Sequence, residues 1–389
     1  MNVTQQGIAT LLRCAITREA LPLPDGFDLA ETYPLIRSHQ MMPLIYAGAA
    51  CCQIPLTDPT MRKLFQDYGK NMLIHERQMG ELSRIFTAFA ENGIDYMPLK
   101  GCKLKALYPS PELRVMGDAD VLIRMEQYDR IRAIMLSLGF AEKEPSDHEL
   151  PWEKPTLYLE LHKRVIPSYN KDFYRGFGEG WDLAKISEGN RYSMTAEDEL
   201  VYLFTHFAKH YRDGGIGCRH LVDLWVYMRA NPQVDEAYVL AELEKLGLRE
   251  FYNNIRKTIH VWFAGGETDS VVDFITEFIV TSGSWGSMSS HALSRAVRDS
   301  NHALPGTRGK LQYIWQVLFP GVDMLKEKYT ILKKAPWMLP VVWLVRPVYK
   351  ILFERKSLKR HEINLAAITP ETMQTRRQLL NYVGLDYNF

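Results

Sequence analysis

The hydrophobic period of this chain changes at Asn92-Gly93, and that change limits the folds open to it. Between Asp58-Pro59 and Phe89, apolar side chains recur at spacings of three, four or seven: Leu64, Phe65, Tyr68, Met72, Met79, Leu82, Phe86 and Phe89. This is the period of one helix face. Asp58 is a favoured N-cap, Pro59 suits the first helical position, and Asn92-Gly93 ends the run. The spacing predicts one amphipathic helix of roughly 30 residues with its stripe in the core. Beyond Gly93 the runs are short. In Leu157-Tyr158-Leu159-Glu160-Leu161-His162 the leucines alternate with polar residues, the period of a strand.

Strands are expected at 94–99, 119–123 and 156–165, with helices at 101–108 and 127–138. Strand, helix, strand, helix, strand within about 75 residues make a compact α/β unit. Everything before residue 93 reads as helical. After Met194 the chain turns helical again, opening on the capping-box-like Thr195-Ala196-Glu197-Asp198 and continuing at 196–212, 219–230, 236–246 and 248–263. The fold class is therefore α+β, a small α/β core between helical regions. The expected division is 1–92, 93–192, 193–300 and 301–389, with a loop at Ser282-Gly283-Ser284-Trp285-Gly286-Ser287.

Lys plus Arg number 47 against 46 Asp plus Glu, so a global polyanion-binding charge is absent and a nucleic-acid partner is not expected. The five cysteines include the adjacent Cys51 and Cys52 and no C-x-x-C, which excludes a disulfide scaffold and zinc-knuckle spacing. No basic region followed by an apolar run opens the chain, and the expectation is a protein of a reducing cytoplasm. From Lys310 to Arg360 eleven basic residues face three acidic ones, interleaved with Trp337, Trp343, Tyr349 and Phe353. Pro336, Pro340 and Pro347 interrupt this stretch, so it does not span a membrane. A basic-faced helix packed on its own domain is the favoured reading, with a peripheral membrane or nucleic-acid contact as the alternative.

The chemistry concentrates in Met97-Pro98-Leu99-Lys100-Gly101 and Arg114-Val115-Met116-Gly117-Asp118-Ala119-Asp120. Carboxylates two apart at the start of a strand point to the same side, so Asp118 and Asp120 repel unless a cation or proton lies between them. Mg²⁺ suits such hard oxygen ligands. Glu160 and His162 share the polar face of their strand. If that strand lies beside the one after Asp118, Glu160 faces the aspartates, and three carboxylates can hold two metal ions. Gly101 at a strand-to-helix junction lets a phosphate approach the backbone, and Lys100 and Arg114 would neutralise a polyphosphate. Neither a Walker A sequence nor the protein-kinase signatures occur. Cys102 reads as a small filler. His206 and His210 are four apart on one helix face, but Phe207 excludes the H-E-x-x-H zinc pattern, leaving a nucleotide-facing or core role. Arg219 and Asp223, also four apart, read either as an intrahelical ion pair or, for Arg219, as a phosphate contact.

Glycine, then Asp-x-Asp on a strand, then a later strand acid resembles the palm site of the superfamily that includes DNA polymerase β. Leu99-Lys100-Gly101, Arg114, Gly117-Asp118-Ala119-Asp120, Leu159-Glu160-Leu161-His162 and the His206, His210, Arg219, Asp223 stretch are similar to the bacterial family of uncharacterised nucleotidyltransferases. One departure is Cys102 after Gly101, where the superfamily usually has Ser or Gly. The resemblance implies transfer of a nucleoside monophosphate from an NTP, with ATP first in line, to an acceptor hydroxyl on a small molecule or a protein, releasing pyrophosphate. It implies two Mg²⁺ ions held by Asp118, Asp120 and Glu160, and nucleotide contacts from Lys100, Gly101, Arg114, His162, His206, His210, Arg219 and Asp223. The alternative is a nucleotide sensor or scaffold on a degraded transferase fold; retention of all three acids speaks against it.

Overall fold

The computed structural model describes residues 1–283, 321–325, 329, 331–345 and 369–386, with His291, Leu293, Ser294, Val297, Trp315 and Phe319. Four helices open the chain: α1 (Val3–Thr17), α2 (Leu29–Ser38), α3 (Met42–Cys51) and α4 (Pro59–Glu91). Asn2 and Gln5 form a capping box on α1, and the Asp28 carboxylate accepts from the Ala30 and Glu31 amides on α2. The long helix starts as expected. Asp58 accepts from the Thr60 and Met61 amides, and Pro59 occupies the first turn, where its missing N–H costs nothing. Only part of its apolar stripe is core. Leu64, Leu82 and Phe89 are buried, whereas Phe65 is 47% exposed and Met72 41%. A helix of 33 residues outruns the body it packs on, so no single face can stay covered along its length.

The core alternates strands and helices: β1 (Tyr96–Leu99), α5 (Gly101–Leu104), β2 (Ala119–Ile123), α6 (Tyr128–Ser137), β3 (Ala141–Glu142), β4 (Glu149–Lys154), β5 (Leu157–His162), α7 (Lys171–Phe177), β6 (Lys185–Glu188) and β7 (Arg191–Ser193). These strands make one mixed sheet in the order β3-β4-β5-β2-β1-β7-β6. β2 runs parallel to β5, with Asp120 opposite Glu160, and antiparallel to β1, with Leu99 opposite Asp120. Strand alternation then divides the sheet. Ala119, Val121, Ile123, Leu157, Leu159 and Leu161 form one apolar cluster with Leu82, Ile85 and Phe89 of α4 and Ile131 and Met135 of α6. Asp118, Asp120, Glu160 and His162 alternate with those residues and take the other face.

That second face is covered by α8 (Ala196–Asp213) and α9 (Cys218–Ala230), followed by α10 (Glu236–Lys245), α11 (Arg249–Ala264) and α12 (Ser270–Ser282). Their apolar faces share a core cluster with α1, α3 and the C-terminal helix Pro370–Tyr382. Thr195 caps α8 by accepting from the Asp198 amide. Among the described residues no helix is long and apolar enough to cross a membrane. Most of the glycine- and serine-rich loop and most of the basic stretch 310–360 lie outside the described residues. Within the latter, Leu325, Leu332 and Val342 pack together while Trp337 is exposed.

The two halves of the α4 stripe give a direct comparison. Leu82→Ala removes a fully covered side chain and should cost about 2–5 kcal/mol. Phe65→Ala should stay within about 0.5 kcal/mol. Urea unfolding monitored by circular dichroism measures both.

Candidate active site

One cavity opens where β1, β2 and β5 meet α8 and α9. Asp118, Asp120, Glu160 and Glu149 line it from the sheet, and His206, Lys209, His210, Arg219 and His220 from the helices. On the sheet side Asp120 is the hub. The Lys100 ammonium lies 2.8 Å from its Oδ1, and so does His162 Nε2. His162 Nε2 is also 3.7 Å from Glu160 Oε2. Burial opposes the charge on Asp120, but Lys100 and His162 outweigh it and hold the carboxyl well below the usual range. Asp118 has no such partner. Burial first, and then the Asp120 charge, push it up to about 6. Lys100 itself adopts φ +40°, a left-handed conformation that costs a lysine energy and is characteristic of functional sites.

The helical wall is rich in basic groups whose protonated forms burial disfavours. His206 and His210 bring their Nε2 atoms within 3.0 Å. Burial, with Lys100 next, drives His206 well below its ordinary range; burial, with Lys209 next, does the same to His210. His220 is pushed down to about 3 by burial and then by Arg219. Lys209 is lowered by burial and by Lys100. Arg219 is buried, donates one Nη1 hydrogen bond to the Val115 carbonyl at 2.9 Å, and leaves its Nε without a partner. A guanidinium at a cavity wall is a donor set for an anion.

Arg114 and Asp223 serve each other. Arg114 Nε and Nη2 donate to the two Asp223 oxygens at 2.7 and 2.8 Å, and the Tyr108 hydroxyl donates to Oδ1 at 2.6 Å. This buried fork ties the loop before Asp118 to α9. The structure therefore pairs Asp223 with Arg114 rather than with Arg219, its neighbour one helical turn away. Gly101 is needed for packing: a Cβ there would stand 2.9 Å from Arg114 Nη1 and 3.4 Å from Met116 Cγ. Burial pushes the Cys102 thiol up to about 12, which removes it as a nucleophile.

The cavity thus gathers Asp118, Asp120, Glu160, Lys100, Gly101, Arg114, His206, His210, Arg219 and Asp223. His162, expected to touch nucleotide, does not line it. It is 1% exposed and stands behind Asp120, hydrogen-bonded to its carboxylate. Sequence reasoning missed Glu149, Lys209 and His220. Lys209 carried a signal, since residues 206, 209 and 210 share one helix face. Glu149 carried none, because its strand contains Pro151, which cannot donate to a ladder and hides the pattern.

Two stability effects follow. Asp223→Asn takes the counter-charge from the buried Arg114 and should destabilise by about 3–5 kcal/mol in chemical denaturation. Asp118 binds its proton more tightly folded than unfolded, so in chelator-treated protein its charge costs stability above pH 6, and that cost fades as pH falls toward 4. Asp118→Asn should therefore raise the stability of the metal-free protein by roughly 1–3 kcal/mol at pH 8 and by much less near pH 4.

A family model for uncharacterised nucleotidyltransferases matches residues 25–264, from α2 through the sheet and cavity to the end of α11. No curated protein and no solved structure matched the chain. The match spans more than half of the sequence and contains every residue that lines the cavity, so the chain belongs to the uncharacterised nucleotidyltransferase family and is a transferase of phosphorus-containing groups.

Proposed function

We propose that the protein transfers a nucleoside monophosphate from an NTP, ATP first in line, to a hydroxyl on a small molecule or a protein. The observation that carries this reading is the juxtaposition of Asp118, Asp120 and Glu160 with Lys209 and Arg219 across one cavity. In the reaction the acceptor oxygen bonds to the α-phosphorus, the bond from that phosphorus to the bridging oxygen breaks, and pyrophosphate leaves with the electron pair. The oxygen-only donor set of the three acids fits Mg²⁺, and the repulsion that raises Asp118 is what a divalent cation would relieve. Asp118, Asp120 and Glu160 would hold the ion or ions, which supply charge neutralisation of the triphosphate and polarisation of its α-phosphate.

The chain's own groups do the rest. Arg219 offers its guanidinium, and Lys209 its ammonium, to phosphate oxygens. Lys100 and His162 fix the Asp120 carboxylate before substrate arrives, and Glu160 is placed to accept the proton of the acceptor hydroxyl. The near-zero net charge supports an acceptor other than a long nucleic acid.

A second reading, nucleotide binding without turnover, draws on one observation: the Lys100 ammonium already compensates the Asp120 charge. Incubation with each α-³²P-labelled NTP and Mg²⁺, alone and with cell lysate, separates the two. Label should pass to a macromolecule or metabolite, and Asp118→Asn or Asp120→Asn should lower transfer at least about 100-fold with the fold intact. Arg219→Gln should weaken NTP binding about 10–100-fold by calorimetry. Mg²⁺-independent binding with no transfer would establish the sensor reading instead.

A further inference from the structure

Beside the carboxylates of the cavity stands a second group of ligand-type side chains, of which the proposed transfer uses only His162, to hold Asp120. His148, just before β4, Glu149, the first residue of β4, and His162, the last of β5, each offer one ligand atom within 4.8 Å of the others. Pairing sets this up, since Glu149 lies opposite His162 in the antiparallel ladder. His148 and His162 are both buried, and the Nδ1 of each has no hydrogen-bond partner. Buried imidazole nitrogens are normally partnered, and here two on adjoining rings, 5.7 Å apart at their centroids, are not.

The other nitrogen of His162 supplies a second argument. Nε2 is committed to Asp120 at 2.8 Å. A histidine whose one nitrogen bonds a carboxylate while the other is free has the arrangement of a metal-ligating imidazole, in which the carboxylate fixes the tautomer and raises ligand basicity. Glu149 brings a carboxylate, its Oε1 2.6 Å from His148 Nε2. Burial keeps His148 below its ordinary range, and a neutral imidazole is the ligating form.

We infer that His148, Glu149 and His162 form a binding site for a divalent transition ion of the zinc, iron or manganese class, adjoining the three acids of the cavity. Two imidazoles and one carboxylate favour such an ion over Mg²⁺, which prefers oxygen donors. Glu149 also lines the cavity, so the site adjoins the space between the sheet and the helices. An ion held by His162 fixes its ring, and through the Nε2 bond the Asp120 carboxylate. Ion binding is read without turnover, so the site stands or falls separately from nucleotide transfer.

Co²⁺ is the probe, since its visible d–d absorption reports mixed nitrogen and oxygen coordination directly. Chelator-treated full-length protein titrated with Co²⁺ should develop visible bands saturating at one equivalent, and excess Mg²⁺ should not remove them. His148→Ala and the isosteric Glu149→Gln should each weaken Co²⁺ binding at least about tenfold. Asp118→Asn should leave the bands unchanged while losing nucleotide transfer. Thermal melts identify a variant that fails to fold, and Glu149→Gln keeps the test decisive if His148→Ala does. Absence of bands overturns the site. So do bands that survive both substitutions, which would move the ion to Asp120, Glu160 and His162.

Discussion

The buried fork between Arg114 and Asp223 is the interaction on which the site depends. It joins the loop that delivers Asp118 to the helix that delivers Arg219 and His220, across more than a hundred residues of sequence. Both partners are withdrawn from water, where an unpaired charge is costly, so the sheet and α9 have one favourable way to dock. Tyr108 adds a third contact to the same carboxylate, and Gly101 leaves room for the guanidinium. Once that joint is made, the cavity between sheet and helices has fixed walls.

Those walls divide the electrostatic work. The sheet contributes carboxylates whose repulsion is only partly relieved: Lys100 and His162 satisfy Asp120, while Asp118 is left strained. The helices contribute Lys209 and Arg219, both destabilised by burial, beside three imidazoles driven toward neutrality. A cation on one side and an anion on the other would relieve both walls at once. The metal–nucleotide complex proposed above has that form.

Much of this was legible from residue spacing, and what was not has identifiable causes. The cap at Asp58, the strand at Ala119–Ile123, the alternation over Leu157–His162 and the four helical runs after Thr195 match the structure to within a residue or two. β4 was hidden by Pro151, and β6 and β7 by exposure, because a strand with neither face buried has no hydrophobic period. The α4 stripe was legible as a helix but not as core or surface, since periodicity reports a face and not what covers it. His162 was legible as a polar-face residue. That it stands behind Asp120, not before it, depends on how deep the ring sits once β2 and β5 are paired.

The sequence by itself determined the local elements and the side of each strand on which a residue falls, because propensity, capping and period 2 act over a few residues. It also brought Asp118 and Asp120 together, being two apart on one chain segment. Tertiary structure alone decided the partners: that Asp120 stands opposite Glu160, that Asp223 belongs to Arg114 and not to Arg219, and that His148 and Glu149 meet His162. Those pairings arise where strand order, helix docking and burial act together. A charge withdrawn from water takes the nearest compatible partner in space, and nearness in space is not written in sequence separation.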